Sequence, residues 1–190
     1  TWGRLPDVPP MPDNLPPVPV DSATVVLLRE PVPARLEVLL VGRHAESRAF
    51  AGAHVFPGGI VDAADHSQDL QSAVSSSMAP ATASAVVGDA GDPGTALAFY
   101  VATIRELFEE AGILLAADRT GALLRFADPA TRDRFARHRR ALLDGAVKFS
   151  DIVRQEDLTL RAGDLRYFSR WITPVPAPRR YDARFFVAPV

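Results

Sequence analysis

Three glutamates stand close together in the segment Arg105-Glu106-Leu107-Phe108-Glu109-Glu110-Ala111-Gly112-Ile113. On a helix each residue turns about 100°, and residues three and four apart share a face. Glu106, Glu109 and Glu110 therefore project from one side within about 100° of arc, with Ile104, Leu107 and Ala111 opposite. Carboxylates this crowded repel one another and raise each other's pKa unless a cation compensates. Oxygen-only ligands select a hard divalent ion, Mg²⁺ or Mn²⁺. Arg105 and Glu109 form an i,i+4 pair, so the guanidinium can hold that carboxylate. By itself, Glu-x-x-Glu-Glu equally describes a solvated acidic helix face.

The elements around this segment decide between the two. From Thr95, apolar residues recur at Leu97, Val101, Ile104, Leu107 or Phe108, and Ala111, the stripe of an amphipathic helix, with Gly112 at its end. Upstream, Thr24 to Arg29 and Leu36 to Arg43 read as two strands joined through the proline-broken loop 30–34. A short third strand is expected at His54 to Phe56, halted by Pro57-Gly58-Gly59. Residues 66–95 are rich in Ser, Ala, Gly and Asp without a steady period, and read as a flexible insertion, a slack loop. Pro129 to Leu143 predicts a helix with its arginines on the wet face, and Ser150 to Asp157 a short one. Strands follow at Tyr167 to Thr173 and Tyr181 to Ala188. Nine of the 17 prolines lie in the first 33 residues, so residues 1–20 read as an extended arm ahead of one domain at 21–190. The order of elements predicts a mixed α/β fold.

Arg-Glu-apolar-x-Glu-Glu-x-Gly-apolar resembles the second half of the Nudix box, matched at every specified position by residues 105–113. The first half of that box is Gly, five residues and Glu. Here Gly59 is followed after five residues by Asp65. Between Asp65 and Arg105 lie 39 residues where an unbroken box has seven, so the box reads as split by 32. The stretches 52–65, Trp171-Ile172-Thr173-Pro174 and Arg180-Tyr181-Asp182-Ala183-Arg184-Phe185-Phe186 resemble the Nudix subgroup that carries such an insertion and includes a peroxisomal coenzyme A diphosphatase. The resemblance implies an α/β/α sandwich with a mixed sheet, which in that subgroup continues beyond the Phe-Phe strand, so the domain is expected to be incomplete at its C-terminal side.

It also implies an activity: Mg²⁺- or Mn²⁺-dependent attack of water on a pyrophosphate, with coenzyme A or acyl-coenzyme A as substrate and 3′,5′-ADP and (acyl-)4′-phosphopantetheine as products. Alternatives are another substrate, such as ADP-ribose, NADH or a dinucleoside polyphosphate, or a Nudix-like domain that binds a nucleotide or a partner without hydrolysis. By the same resemblance Glu109 and Glu110 are the main metal ligands. Glu106 is a further ligand or the group that takes the water's proton, and Arg105 orients the carboxylates. Gly58 and Gly59 allow a tight turn and close approach to metal or phosphate. Asp65, shorter than the usual Glu, is a candidate either for direct metal binding or for a role supporting the helix or the ligands. Arg43 and Arg180, with Arg179 and Arg184, are candidate phosphate clamps. His54 reads as structural. Tyr181, Phe185 and Phe186 are candidates for stacking on an adenine, with at least one of the two phenylalanines in the core because they face opposite ways.

Composition narrows the rest. Lys plus Arg number 21 against 23 Asp plus Glu, a net charge of −2, so nothing draws the chain to nucleic acid or an anionic membrane. Absence of cysteine excludes disulfides, thiolate metal sites and a cysteine nucleophile. No apolar run reaches the length of a membrane span. The expectation is a soluble, cytoplasmic protein with a small nucleotide substrate and no nucleic-acid or membrane partner, a homodimer remaining open.

Overall fold

The computed structural model describes residues 16–42, 52–75, 78–88 and 93–190. Its main sheet is built on β1 (Val20–Val32), whose β-branched run suits a half-buried strand. One side of β1 pairs in parallel with β9 (Tyr181–Pro189), which pairs antiparallel with β8 (Arg166–Ile172). The other side of β1 is shared by β2 (Arg35–Val38) near its C-terminal end and β5 (Gly58–Ile60) near its start, both antiparallel. Two small pairs lie outside it: β3 (Val41–Gly42) with β4 (His54–Val55), and β6 (Ala116–Ala117) with β7 (Thr159–Leu160). The sheet is thus mixed, as expected.

Alternation along β1 and β9 turns Ala23, Val25 and Leu27 together with Phe186 and Ala188 to one face, where all are buried. Across it lies α3 (Pro93–Ala111), with residues 96–105 buried on every side. The expected amphipathic helix is instead a central one, since further helices cover its other flank. Two of these, α1 (Gln68–Ser75) and α2 (Pro80–Val87), occupy the segment expected to be slack. Leu70 with Val74, and Ala83 with Val87, lie one helical turn apart and are buried against the core. So few apolar residues among many small ones give a weak period, yet they suffice to seat two helices.

A third cover is α4 (Pro129–Leu143), with the expected bounds; Asp128 caps it by accepting a hydrogen bond from the Thr131 amide at 2.9 Å. The short α5 (Phe149–Gln155) follows. These helices supply the helical layer on the Ala23–Val25–Leu27 face, while Val20, Ile60 and Trp171 are exposed. Among the described residues no helix is long and apolar enough to cross a membrane. Of the proline-rich arm, residues 1–15 lie outside the described region.

Candidate active site

The last two turns of α3 meet β5, and the two glycines explain how closely. Gly58 and Gly59 are not a turn but strand residues, paired with Thr24 and Ala23. A Cβ on Gly58 would collide with the Ala23 carbonyl oxygen and stand 2.7 Å from Thr24 Cα. A Cβ on Gly59 would collide with the carboxylate of Glu106. The glycines admit close approach of β5 to β1 and of a glutamate to the backbone, where the sequence predicts a tight turn and approach to metal or phosphate. The Gly58 amide donates to Glu110 Oε2 at 3.0 Å, fixing a second carboxylate beside the same strand.

Arg105 ties this corner together. Its Nε and Nη2 donate to the two oxygens of Asp65, each at 2.9 Å, in a bidentate pair. Its Nη1 donates to Glu106 Oε1 at 2.9 Å and Glu109 Oε1 at 3.2 Å, and its Nη2 also reaches the Ile60 carbonyl at 2.9 Å. Asp65 is wholly buried on a 3-10 turn (Ala63–His66), and its second oxygen also accepts the Asp62 amide at 2.9 Å. Both its oxygens are thereby occupied, by Arg105 and the Asp62 amide. The 39 intervening residues separate the two halves of the box in sequence, and one ion pair rejoins them in space.

The electrostatics follow from this crowding. Burial works against the Arg105 charge, yet the hydrogen bond and charge of Asp65, with Glu106 and Glu109, outweigh it and hold its pKa above the ordinary value. The Glu106 carboxyl is pushed up to about 7, first by burial and then by Glu109 and Glu110, against the pull of Arg105. Among the described residues the Arg105 guanidinium is shared by Asp62, Asp65, Glu106 and Glu109.

A donor set of oxygens only has the chemistry of a hard divalent-cation site. The side chains are not closed around an ion: among the described residues no three Asp, Glu or His are gathered closely enough to hold one. Glu106 and Glu109 turn to Arg105, and Glu110 to the Gly58 amide. The expected trio is thus together on one flank beside the double glycine, in an arginine-paired pose.

The other candidates separate. Arg43 lies outside the described residues. Arg180 donates to the carbonyls of Thr173 and Pro17, each at 3.0 Å, and so fastens the edge of the sheet. Arg184 is buried between Asp21 and Asp182 over the ring of Phe99, a structural position and not a clamp. Phe186 is core, Phe185 only half-buried, and His54 exposed.

One residue was hidden among arginines assigned to the wet face. Arg139 of α4 donates from Nε to the carbonyls of Phe108 at 3.0 Å and Glu109 at 2.8 Å, and from Nη2 to that of Glu110 at 3.2 Å. It caps the C-terminal end of α3, where carbonyls lack partners and a cation opposes the helix dipole. Its spacing was the available signal, since it follows the core residue Phe135 by four.

Residues 20–190 match the family described as NUDT19 Nudix domain. Acyl-coenzyme A diphosphatase NUDT19 of Homo sapiens is 30% identical over 191 residues, covering 84% of this chain and 49% of the human protein. Its namesake in Gallus gallus is 30% identical over 188 residues, covering 82% and 48%. The chain spans about half the length of these curated relatives. The crystal structure of a NUDIX hydrolase from Alicyclobacillus acidocaldarius superposes with a TM-score of 0.63 at 27% identity, over 91% of this chain and 70% of that one.

Proposed function

The chain belongs to the NUDT19 Nudix domain family, and from that premise we propose that it hydrolyses the pyrophosphate of coenzyme A or an acyl-coenzyme A, yielding 3′,5′-ADP and (acyl-)4′-phosphopantetheine. The observation that carries the reading is the Arg105–Asp65 pair, which joins the halves of a split box and holds Glu106, against Gly59, and Glu109, while Glu110 takes the Gly58 amide. The names of the human and chicken relatives favour an acyl-coenzyme A substrate.

Phosphoryl chemistry of this kind needs charge neutralisation and an aligned water more than covalent help. Mg²⁺ or Mn²⁺ would be held by Glu109 and Glu110 and would neutralise the diphosphate oxygens. Glu106 lies deeper, and a carboxyl that titrates near 7 suits acceptance of a proton from the attacking water. Arg105 keeps Glu106 and Glu109 in register, and Arg139 fixes the turn that carries Glu109 and Glu110.

The test is a product-resolved assay of the purified chain with Mg²⁺ or Mn²⁺ over coenzyme A, acetyl-coenzyme A, ADP-ribose, NADH and dinucleoside polyphosphates. Formation of 3′,5′-ADP from the coenzyme A substrates is the expected result. Turnover of ADP-ribose alone would discard the substrate and keep the reaction class, and no turnover of any would discard both.

A further inference from the structure

We propose that a half-open cavity lined by none of the residues of the candidate active site, between the 118–125 segment, the first turns of α4 and residues 156–158 after α5, binds a small phosphomonoester. Its volume is about 340 Å³, at the lower end of the range typical of small-molecule sites, about 300–1,000 Å³. Arg119, Arg125 and Arg134 line it together with Leu123, Leu124 and Leu158.

The charges there are unevenly partnered. Asp118 folds back into its own turn, accepting from the Thr120 amide at 2.8 Å, the Thr120 hydroxyl at 2.6 Å and the Ala122 amide at 3.2 Å. Glu156 is taken by Arg134, at 3.0 and 3.1 Å, and by His138 Nε2 at 2.8 Å. Both acids of the cavity are thus satisfied. Arg119 and Arg125, both exposed at the cavity mouth, make no ion pair or side-chain hydrogen bond among the described residues, and Arg119 acts on Asp118 only through its charge, the last of the causes that hold that carboxyl low. Two unpaired guanidinia on one wall suit a phosphate dianion, which each can grip through two donors.

The wall is preset. The Asp118 amide donates to Ala122 and the Leu124 amide to Ala116, each at 2.9 Å, so the turn that displays both arginines is closed by backbone bonds. Leu158 is buried, Leu124 half-buried and Leu123 exposed at 42%. They offer an apolar strip for the body of the ester, beyond what inorganic phosphate would use.

The experiment follows the arginine Nε–H resonances by NMR during titration with adenosine monophosphate, inorganic phosphate and, as a control, sodium chloride, all without divalent cation. Saturable shifts at Arg119 and Arg125, with adenosine monophosphate binding at least tenfold more tightly than phosphate, are expected. The double variant Arg119→Gln/Arg125→Gln should weaken binding at least tenfold at unchanged melting temperature, whereas Glu109→Gln/Glu110→Gln should leave it intact. Shifts that match sodium chloride, or survive loss of both arginines, would overturn the proposal. If the arginine variant also raises KM for coenzyme A, the ester bound is a distal phosphate of that substrate; an unchanged KM assigns the site to a separate molecule.

Discussion

Two buried arginines organise this molecule, and their surroundings differ in one respect. Arg184 lies within the sheet at 2% exposure, with Arg170 nearby, and the acids they hold are Asp182 and Asp21. Among the described residues two cations there meet two anions. The Arg170 hydrogen bonds come first in holding the Asp182 carboxyl below its ordinary pKa, and the charges of Arg184 and Arg170 add to them. Arg105 is equally enclosed but faces Asp62, Asp65, Glu106 and Glu109 alone. There burial first, and the charges of Glu109 and Glu110 after it, lift the Glu106 carboxyl. In the first cluster each acid is gripped by an arginine; in the second, several carboxylates share one arginine in a buried corner, a setting that suits a role beyond holding the fold.

That contrast can be broken in four places. The largest effect is expected from Glu109→Gln/Glu110→Gln. Turnover of coenzyme A should fall by about 10³-fold or more, equivalent to roughly 4 kcal/mol of barrier, while the melting temperature of the metal-free protein holds or rises because repulsion is relieved. Unchanged turnover would contradict the mechanism.

Next is Arg105→Met. Removing one partner of a buried pair costs about 3–5 kcal/mol, and Asp65 would lose both hydrogen bonds from the guanidinium. Denaturant unfolding should show a loss of that order, together with lost activity. Arg184→Met should also destabilise, but by less, about 1–3 kcal/mol, because Asp182 keeps Arg170. Its kcat should not change once the protein is folded; a kcat effect equal to that of Arg105→Met would erase the distinction between the clusters.

The pH dependences should run in opposite directions. Glu106 has a folded pKa near 7 against an ordinary 4.5. The folded state therefore binds more protons in that interval, and metal-free stability should fall as pH rises from 4.5 to 7, by on the order of 3 kcal/mol. Glu106→Gln should flatten that slope. Asp182 is lowered, so its contribution is present above its ordinary pKa of 3.8 and disappears as pH falls through the folded value. Chemical unfolding across pH 3–8 without metal separates the two. A wild-type slope that persists in Glu106→Gln would place the titration elsewhere.

The smallest effect belongs to Arg139→Ala. Each hydrogen bond from a charged donor contributes about 1.5–3 kcal/mol, but these acceptors are at a helix end partly open to water, and a loss of about 1–2 kcal/mol is expected. With Glu109 and Glu110 less firmly held, kcat should drop about tenfold with KM little changed. An equal loss of stability with kcat intact would make Arg139 structural only.

Much of this was legible in the sequence because it depends on local spacing. The glutamate trio, the bounds of α4 and the paired strands β8 and β9 follow from periodicity over ten to fifteen residues. Partnership across distance was not legible. Arg105 and Glu109 announce themselves as an i,i+4 pair, but the stronger partner, Asp65, lies 40 positions away. Spacing alone could not show that α1 and α2 fold between them, because Ser and Ala dilute the pattern of Leu70, Val74, Ala83 and Val87. Gly58 and Gly59 read as a turn because glycine punctuates loops, yet here the missing side chains admit a neighbouring strand and a carboxylate. Arg180 and Arg184 looked like phosphate clamps for want of knowing that carbonyls and aspartates already hold them.

The most direct test is a crystal soaked in Mn²⁺ and measured at the manganese absorption edge. The account predicts an anomalous peak bounded by carboxylate oxygens of Glu109 and Glu110, beside β5, with Arg105 still bidentate to Asp65. A peak elsewhere, or none at a concentration that supports turnover, would contradict it.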